Sequence, residues 1–297
     1  MKIWGRFLYA YLRFFETCGG LRIGGVYPLR ILHYWLVTHF FKAPAATSGG
    51  NVFFLHFNDR VISSMILWRH SFEPQELEFM RTKIKKGDTV IDIGANIGYH
   101  TVFFSGWAGK RGRVFAFEPE PANCALLKRN SAANGCENII LEQKAVCEHP
   151  GNLRLFLRED HKGAHSLYAR PDLSGSVEVK CVTLDDYFYK RGIRVDFIKM
   201  DIEGAEGAVI RGGLKLFKET RGLKGVFEFN HFMLKAAGEE SLDFIKLLQG
   251  AGYAISRPEK EIGQIREISL DDLREIFQCK STDENFVANL YFERIRG

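Results

Sequence analysis

The chain has no apolar stretch long enough to cross a bilayer. Its longest N-terminal run, residues 31–41, is broken by His33 and His39 and falls short of the ~20 residues a spanning helix needs. Arg13 and Arg30 interrupt the approach to that run, so a cleaved secretory signal is not expected. Cysteine is sparse: Cys18, Cys124, Cys136, Cys147, Cys181 and Cys279 are scattered, with no Cys-x-x-Cys pair. That spacing argues against a zinc site or disulfide framework and predicts reduced thiols in a cytoplasmic protein. No His, Cys or acidic cluster has metal-ligand spacing, so no metal is expected. A Gly-x-Ser-x-Gly hydrolase elbow, a Walker loop and a complete Gly-x-Gly-x-x-Gly phosphate loop are all missing. Charge of one sign is also scarce over most of the chain. The net charge is +5, and residues 1–50 carry all of that excess, through Lys2, Arg6, Arg13, Arg22, Arg30 and Lys42 against Glu16 alone. The balanced remainder offers no broad basic field for phosphates, so no nucleic-acid partner is expected.

What is present is an ordinary globular composition over 297 residues, 46% hydrophobic and 26% charged, enough for a large core without staples. Residues 1–50 read as a basic, aromatic extension. Residues 2–16 place apolar and basic side chains on different faces of a helix, and a second apolar segment spans 29–41. Two readings of this head stay open: contact of residues 1–42 with an anionic inner-membrane surface, or packing on the body as a lid or dimer element. Residues 43–50 read as a flexible linker.

The body, residues 51–297, divides into a short prelude (51–87) and a core (88–297). In the prelude, 52–57 and 61–67 look like a β-hairpin around Asn58-Asp59, and 73–85 like a helix with Pro74 in its first turn. From Asp88, strands and helices alternate: strands at 89–93, 113–118, 138–142, 196–200 and 225–229, and helices at 98–108, 121–134, 204–217 and 241–248. An antiparallel pair is expected at 153–157 and 177–182, and a last strand at 286–293. This predicts an α/β fold with a mostly parallel sheet covered on both faces.

The sharpest local signal is Asp92-Ile93-Gly94-Ala95-Asn96-Ile97-Gly98, a strand that runs into glycines and opens a helix. Glycines there permit a tight turn and close approach of a ligand at the strand's carboxyl end. The carboxylate of Asp92 disfavours a pyrophosphate and suits a cationic ligand. Glu118, ending the next strand, is placed to accept ribose hydroxyls. A cationic head and a ribose without phosphate point to S-adenosylmethionine rather than a dinucleotide.

A second charged edge ends the strand at 196–200: Lys199-Met200-Asp201-Ile202-Glu203-Gly204-Ala205-Glu206. Residues two apart share a strand face, so Lys199, Asp201 and Glu203 are candidates to position and deprotonate an acceptor. Glu206 reads instead as a partner of a helix N-terminus. His165, in the polar loop 158–176, and Glu228 and His231, after the strand at 225–229, are candidates for substrate contact. His100 reads as structural.

Together these stretches resemble the FkbM-type class I methyltransferases, which depend on S-adenosylmethionine. The matching pieces also include Phe117-Glu118-Pro119, Leu127-Lys128-Arg129-Asn130 with Asn134-Gly135, and Thr183-Leu184-Asp185-Asp186. The resemblance covers about residues 70–293. It implies a Rossmann-like, seven-stranded sheet with its last strand antiparallel, and O-directed methyl transfer to a hydroxyl of a sugar, glycan, glycolipid or related natural product. Carried over, Asp92, Gly94, Asn96 and Gly98, with Ala95 beside them, would hold the methionine moiety. Glu118 and Pro119 would face the ribose, Gln143 to Ala145 the adenine, and Glu73 the cofactor from the preceding helix. Two rival functions remain at this level. One is a non-catalytic S-adenosylmethionine-binding module of a membrane-associated assembly. The other is an RNA methyltransferase, which the neutral body disfavours.

Overall fold

The computed structural model describes residues 45–56, 59–158, 161–240, 242–259, 264–273 and 287–295. The helices expected at 2–16 and 29–41, and the membrane or lid role of the head, lie outside the described residues. Among the described residues no helix is long and apolar enough to cross a membrane.

The prelude differs from the expectation. Its hairpin is β1 (Ala45–Ser48) and β2 (Asn51–Phe54), with Gly49 and Gly50 at the turn. The segment read as a linker is therefore a strand, and the expected strand at 61–67 is helix α1 (Ile62–Arg69). Short apolar runs do not distinguish a strand from a buried helix face. Asp59 decides here: its carboxylate accepts from the backbone N–H groups of Val61 and Ser63 at 3.1 and 2.7 Å, satisfying donors at the helix start. Helix α2 (Pro74–Lys83) follows, with proline in its first turn.

The core then alternates as expected. It runs β3 (Thr89–Ile93), α3 (Tyr99–Ala108), β4 (Arg113–Phe117), α4 (Pro121–Ala133) and β5 (Ile139–Glu142). A side sheet of β6 (Ala145–Val146), β7 (Gly151–Phe156) and β8 (Ser176–Val182) follows, in the order β6-β8-β7. A π-helical turn, Asp185–Tyr189, leads to β9 (Phe197–Met200). The helix expected at 204–217 is two helices, α5 (Glu206–Arg211) and α6 (Leu214–Glu219), parted at Gly212-Gly213. A side chain at Gly212 would run into the Cys147 carbonyl, so the break lets the side sheet approach. The chain ends with β10 (Lys224–Asn230), α7 (His231–Ala236), α8 (Asp243–Gly250), β11 (Tyr253–Pro258), β12 (Ile265–Glu267) and β13 (Val287–Arg294).

Among the described residues the main sheet has eight strands rather than seven, in the order β12-β11-β13-β10-β9-β3-β4-β5. The pairs from β10 to β5 are parallel, and β13 inserts antiparallel between β10 and β11. The additional strand, β12, pairs only over three exposed residues at the edge. Strand alternation splits the core. Ile91, Ile93, Phe115, Ile198 and Phe227 pack against α5, α6 and α8, while Val90, Val114, Phe197 and Val226 pack against Phe79 of α2 and Phe104 of α3. Chain order reverses between β3 and β9, and the carboxyl edge at such a switch point is where open α/β sheets bind ligands.

One expectation about cysteine fails. Cys147 and Cys181 form a disulfide across the side sheet, with Cα atoms 6.2 Å apart, a separation that suits a disulfide. Their sequence spacing carried no sign of it; register brings them together, since Cys181 pairs with Gly151 and Ala145 across neighbouring strands.

Two asparagines, Asn130 of α4 and Asn134 just after its end, serve as a substitute strand for the hairpin. Asn130 accepts from Phe54 N at 2.6 Å and donates to Phe54 O at 3.1 Å, and Asn134 does the same with Val52 at 2.9 and 2.8 Å. Asn130 is fully buried and also donates to Ile97 O. Asn130→Ala should therefore lower the unfolding free energy by about 1–3 kcal/mol, because it strands buried backbone groups. A urea titration followed by circular dichroism checks this; an unchanged midpoint would refute it.

Candidate active site

A cleft opens at the carboxyl ends of β3, β4 and β9. Its wall is formed by Ile93, Gly94 and Asn96 after β3, Phe117, Glu118 and Pro119 after β4, Ala145 and Val146 of β6, and Asp201 after β9. The empty space, counting its solvent-facing mouth, is about 550 Å³. Gly94 has φ +79°, and a side chain there would run into the Asp201 carbonyl, so glycine lets the β3 and β9 ends close together. Asn96 also adopts a left-handed backbone, φ 51°. Its N–H donates to Glu118 Oε2 at 2.8 Å, while Glu118 Oε1 accepts from Glu120 N at 2.9 Å. Asn123 Nδ2 lies 3.3 Å from the same Oε1. A carboxylate offers about four acceptor positions, so Glu118 retains capacity on Oε2 toward the cleft. Burial raises its pKa to about 7, against the pull of those donors.

Beside the cleft, one lysine sits among carboxylates. Asp92 and Lys199 are register partners on β3 and β9, and Val226 of β10 is opposite Lys199. Asp201 and Glu228 follow two residues later on the same face of their strands. Glu73, ahead of α2, reaches the group from above. Asp92 is fully buried, with Oδ2 accepting from Thr101 at 2.6 Å and Oδ1 without a hydrogen-bond partner. Lys199 Nζ pairs with Asp201 at 3.1 Å. Burial pushes the ammonium's pKa down, but Asp201, Asp92 and Glu73 outweigh it and hold it above the ordinary lysine range. The surrounding acids shift the other way. Burial and then Asp201 raise Glu73, Glu203 and Glu228 well above the carboxylate range, Glu203 to about 8. His100 lies 3.5 Å from Glu73, and burial keeps its imidazole neutral. Glu73 and Glu203 hold left-handed backbones, φ 46° and 54°, a conformation costing about 1–3 kcal/mol that persists mainly at functional sites.

Of the residues singled out from sequence, Gly94, Asn96, Glu118, Pro119, Ala145, His165 and Asp201 line the cleft. Others lie elsewhere. Ala95 packs with Ala116 and Leu127 in the core. Gly98, φ +84°, gives Leu127 room at the start of α3 and has no place in the cleft wall. Gln143 is exposed in the turn after β5. Asp92 and Lys199 lie beneath the cleft, and Glu73, Glu203 and Glu228 lie beside it. His231 begins α7; burial and then Lys235 lower its pKa, and Glu240 acts the other way. Glu206 is buried at the first position of α5 and accepts from Ile202 N, in the turn before the helix, at 3.2 Å. Sequence reasoning missed Asn123 and Thr101, whose partners are 5 and 9 residues away. No local pattern marked them.

A family model described as the methyltransferase FkbM domain matches residues 92–255. The chain is 30% identical over 156 residues to the 2-O-methyltransferase NoeI of Sinorhizobium fredii, covering 46% of this chain and 63% of that protein. It is 27% identical over 160 residues to the 31-O-demethyl-FK506 methyltransferase FkbM of Streptomyces tacrolimicus, covering 44% and 61%. The chain thus matches less than two thirds of the length of these relatives. Among solved structures, a SAM-dependent O-methyltransferase from Thermotoga maritima overlaps with a TM-score of 0.43 at 12% identity, over 86% of this chain and 78% of that one.

Proposed function

This chain belongs to the FkbM methyltransferase family, and from that premise we propose that it is an S-adenosylmethionine-dependent O-methyltransferase acting on a hydroxyl of a sugar in a glycan, glycolipid or related natural product. The observation that carries this reading is the continuity of the cleft. A wall fit for a nucleoside, from Ala145 through Glu118 to Asn96, ends at the carboxylate of Asp201, beyond which Glu203 and Glu228 gather. The residues fit the cofactor: Glu118 keeps an acceptor position for ribose, Gly94 leaves the wall open, and the acids suit a cationic sulfonium. When bound, S-adenosylmethionine supplies an electrophilic methyl group. The chain supplies placement and proton removal. Asp201, tied to Lys199, orients the acceptor hydroxyl, and Glu203 takes its proton. The named relatives act on oxygen by their printed names, which supports the same class of acceptor here.

The decisive experiment incubates the purified chain with methyl-labelled S-adenosylmethionine and sugar, glycolipid and polyketide acceptors, and seeks a labelled product by mass spectrometry. No transfer to any hydroxyl acceptor, with intact cofactor binding, would favour the binding module. Transfer to RNA would redirect the reading. Glu118→Gln should weaken S-adenosylhomocysteine binding about 10- to 100-fold by calorimetry, because it exchanges a charged acceptor for a neutral one. An unchanged affinity would remove Glu118 from the ribose.

A further inference from the structure

The segment 161–167 closes the cofactor cleft and contributes Lys162, Gly163, His165 and Leu167 to its lining. Backbone ties fix its position. The Lys162 carbonyl accepts from Asn96 Nδ2 at 2.9 Å and Asn123 Nδ2 at 3.2 Å. Ser166 exchanges two backbone hydrogen bonds with Phe156, at 2.8 and 3.1 Å. Gly163 abuts Ile62 of α1, where a Cβ would approach Ile62 Cδ1 to 2.5 Å.

His165 is thereby held with a defined tautomer. Its Nδ1 accepts from the backbone N–H of Arg158 at 3.0 Å. Burial holds the ring neutral, with a pKa of about 4, despite Glu120 nearby; Lys162, His56 and His161 push the same way as burial. A neutral imidazole that accepts at one nitrogen carries its proton on the other. That other nitrogen, Nε2, is buried and has no hydrogen-bond partner. A buried N–H without an acceptor costs free energy, and here its ring faces a cleft with an apolar floor of Ala145, Val146, Leu155 and Leu167. Such a floor suits the flat face of a purine, which offers ring nitrogens as acceptors at its edge.

Resting on the cofactor reading above, we propose that His165 is a cofactor-positioning residue whose Nε2–H donates to a ring nitrogen of the adenine. It reads the base, not the methyl acceptor.

The test is calorimetric binding of S-adenosylhomocysteine and its 1-, 3- and 7-deaza analogues, each lacking one ring nitrogen, to the wild-type chain and to His165→Phe and His165→Gln. The expected result has three parts. His165→Phe binds the parent ligand about 10- to 50-fold more weakly; His165→Gln, which keeps an N–H donor, recovers part of the loss; and one deaza analogue is weakened on the wild type but matches the parent on His165→Phe. Losses that are additive for all three analogues, or unchanged affinity in His165→Phe, would overturn the assignment. The wild-type analogue series needs no variant to fold, so equal affinity for all analogues there overturns it as well. If the wild type bound no S-adenosylhomocysteine at all, the cofactor reading itself would fail, which is a distinguishable outcome.

Discussion

Lys199→Met is expected to destabilise the fold by about 3–5 kcal/mol, the usual consequence of removing one partner from a buried charge group. Lys199 is the cation at the centre of the acids on the β3, β9 and β10 edge, and its side chain is only 7% exposed. Methionine fills similar space, so the loss reports charge rather than a cavity. Without the ammonium, Asp92 loses the largest influence that opposes the rise burial imposes on its pKa, and Glu73 and Asp201 lose the positive charge they surround. The pH dependence gives the sign. Carboxyls whose folded pKa is raised hold protons that the unfolded chain has released, so stability falls as pH climbs from the ordinary carboxyl range at about 4.5 through the raised values. The wild type should show this slope between about pH 5 and 8, and Lys199→Met a steeper one. Urea midpoints at pH 5.5, 7 and 8.5 measure both. Asp92→Asn in the Lys199→Met background should recover part of the loss, since a fully buried acid facing the lysine's position is then neutral. A variant within a few tenths of a kcal/mol of wild type at every pH would show that the lysine does not hold this cluster together.

How this cluster forms explains how much of the site was legible in the sequence. Residues on one strand declared themselves: Lys199, Asp201 and the turn after Asp92 sit where a buried strand meets charge, and period two puts Lys199 and Asp201 on one face. The parallel core was readable for the same reason, because β3, β4 and β9 are short apolar runs that alternate with helical segments. The register between strands was not readable. Nothing in the spacing says that Asp92 is opposite Lys199, so Asp92 reads from sequence as a cofactor contact, whereas the structure places it beneath the cleft, bonded to Thr101. Gly98 was ambiguous in a related way. Its motif suggests ligand approach, yet its role is to admit Leu127 from α4. Gly94 satisfies both demands, lining the cleft and clearing the Asp201 carbonyl. The prelude failed for want of length, since four-residue strands and an eight-residue helix carry too little pattern to separate them. Segment 161–167 read only as part of a polar loop carrying His165, because tertiary contacts from Asn96, Asn123 and Ile62 set its place.

Under the proposed chemistry, Glu203→Gln should lower kcat by about 10²–10⁴-fold, the range that a positioned general base contributes, with cofactor affinity nearly unchanged. Glu203 has the features of a base held ready. Burial raises its pKa to about 8, Asp201 and Glu206 push the same way, and Arg170 and Arg158 offset them in part. Its Oε2 is buried with no hydrogen-bond partner, an acceptor that the protein's own donors leave unused. Its left-handed backbone lets the chain turn back at Gly204, whose absent side chain admits the Met233 carbonyl of α7. A base must be deprotonated to act, so wild-type turnover should rise with pH and level off above the pKa of Glu203. A bound sulfonium lowers that pKa, placing the rise below about 8 when the enzyme is saturated with cofactor. Glutamine keeps the shape and cannot accept the proton, so the variant's residual rate should lose this rise. Asp201→Asn should behave differently: it weakens the tie to Lys199 and misplaces the acceptor, so activity falls while the pH profile keeps its rising limb. Steady-state kinetics from pH 5.5 to 9 on the three proteins separates the roles. If Glu203→Gln kept the wild-type pH limb and Asp201→Asn lost it, the base would be Asp201, with Glu203 reduced to shaping the acceptor pocket.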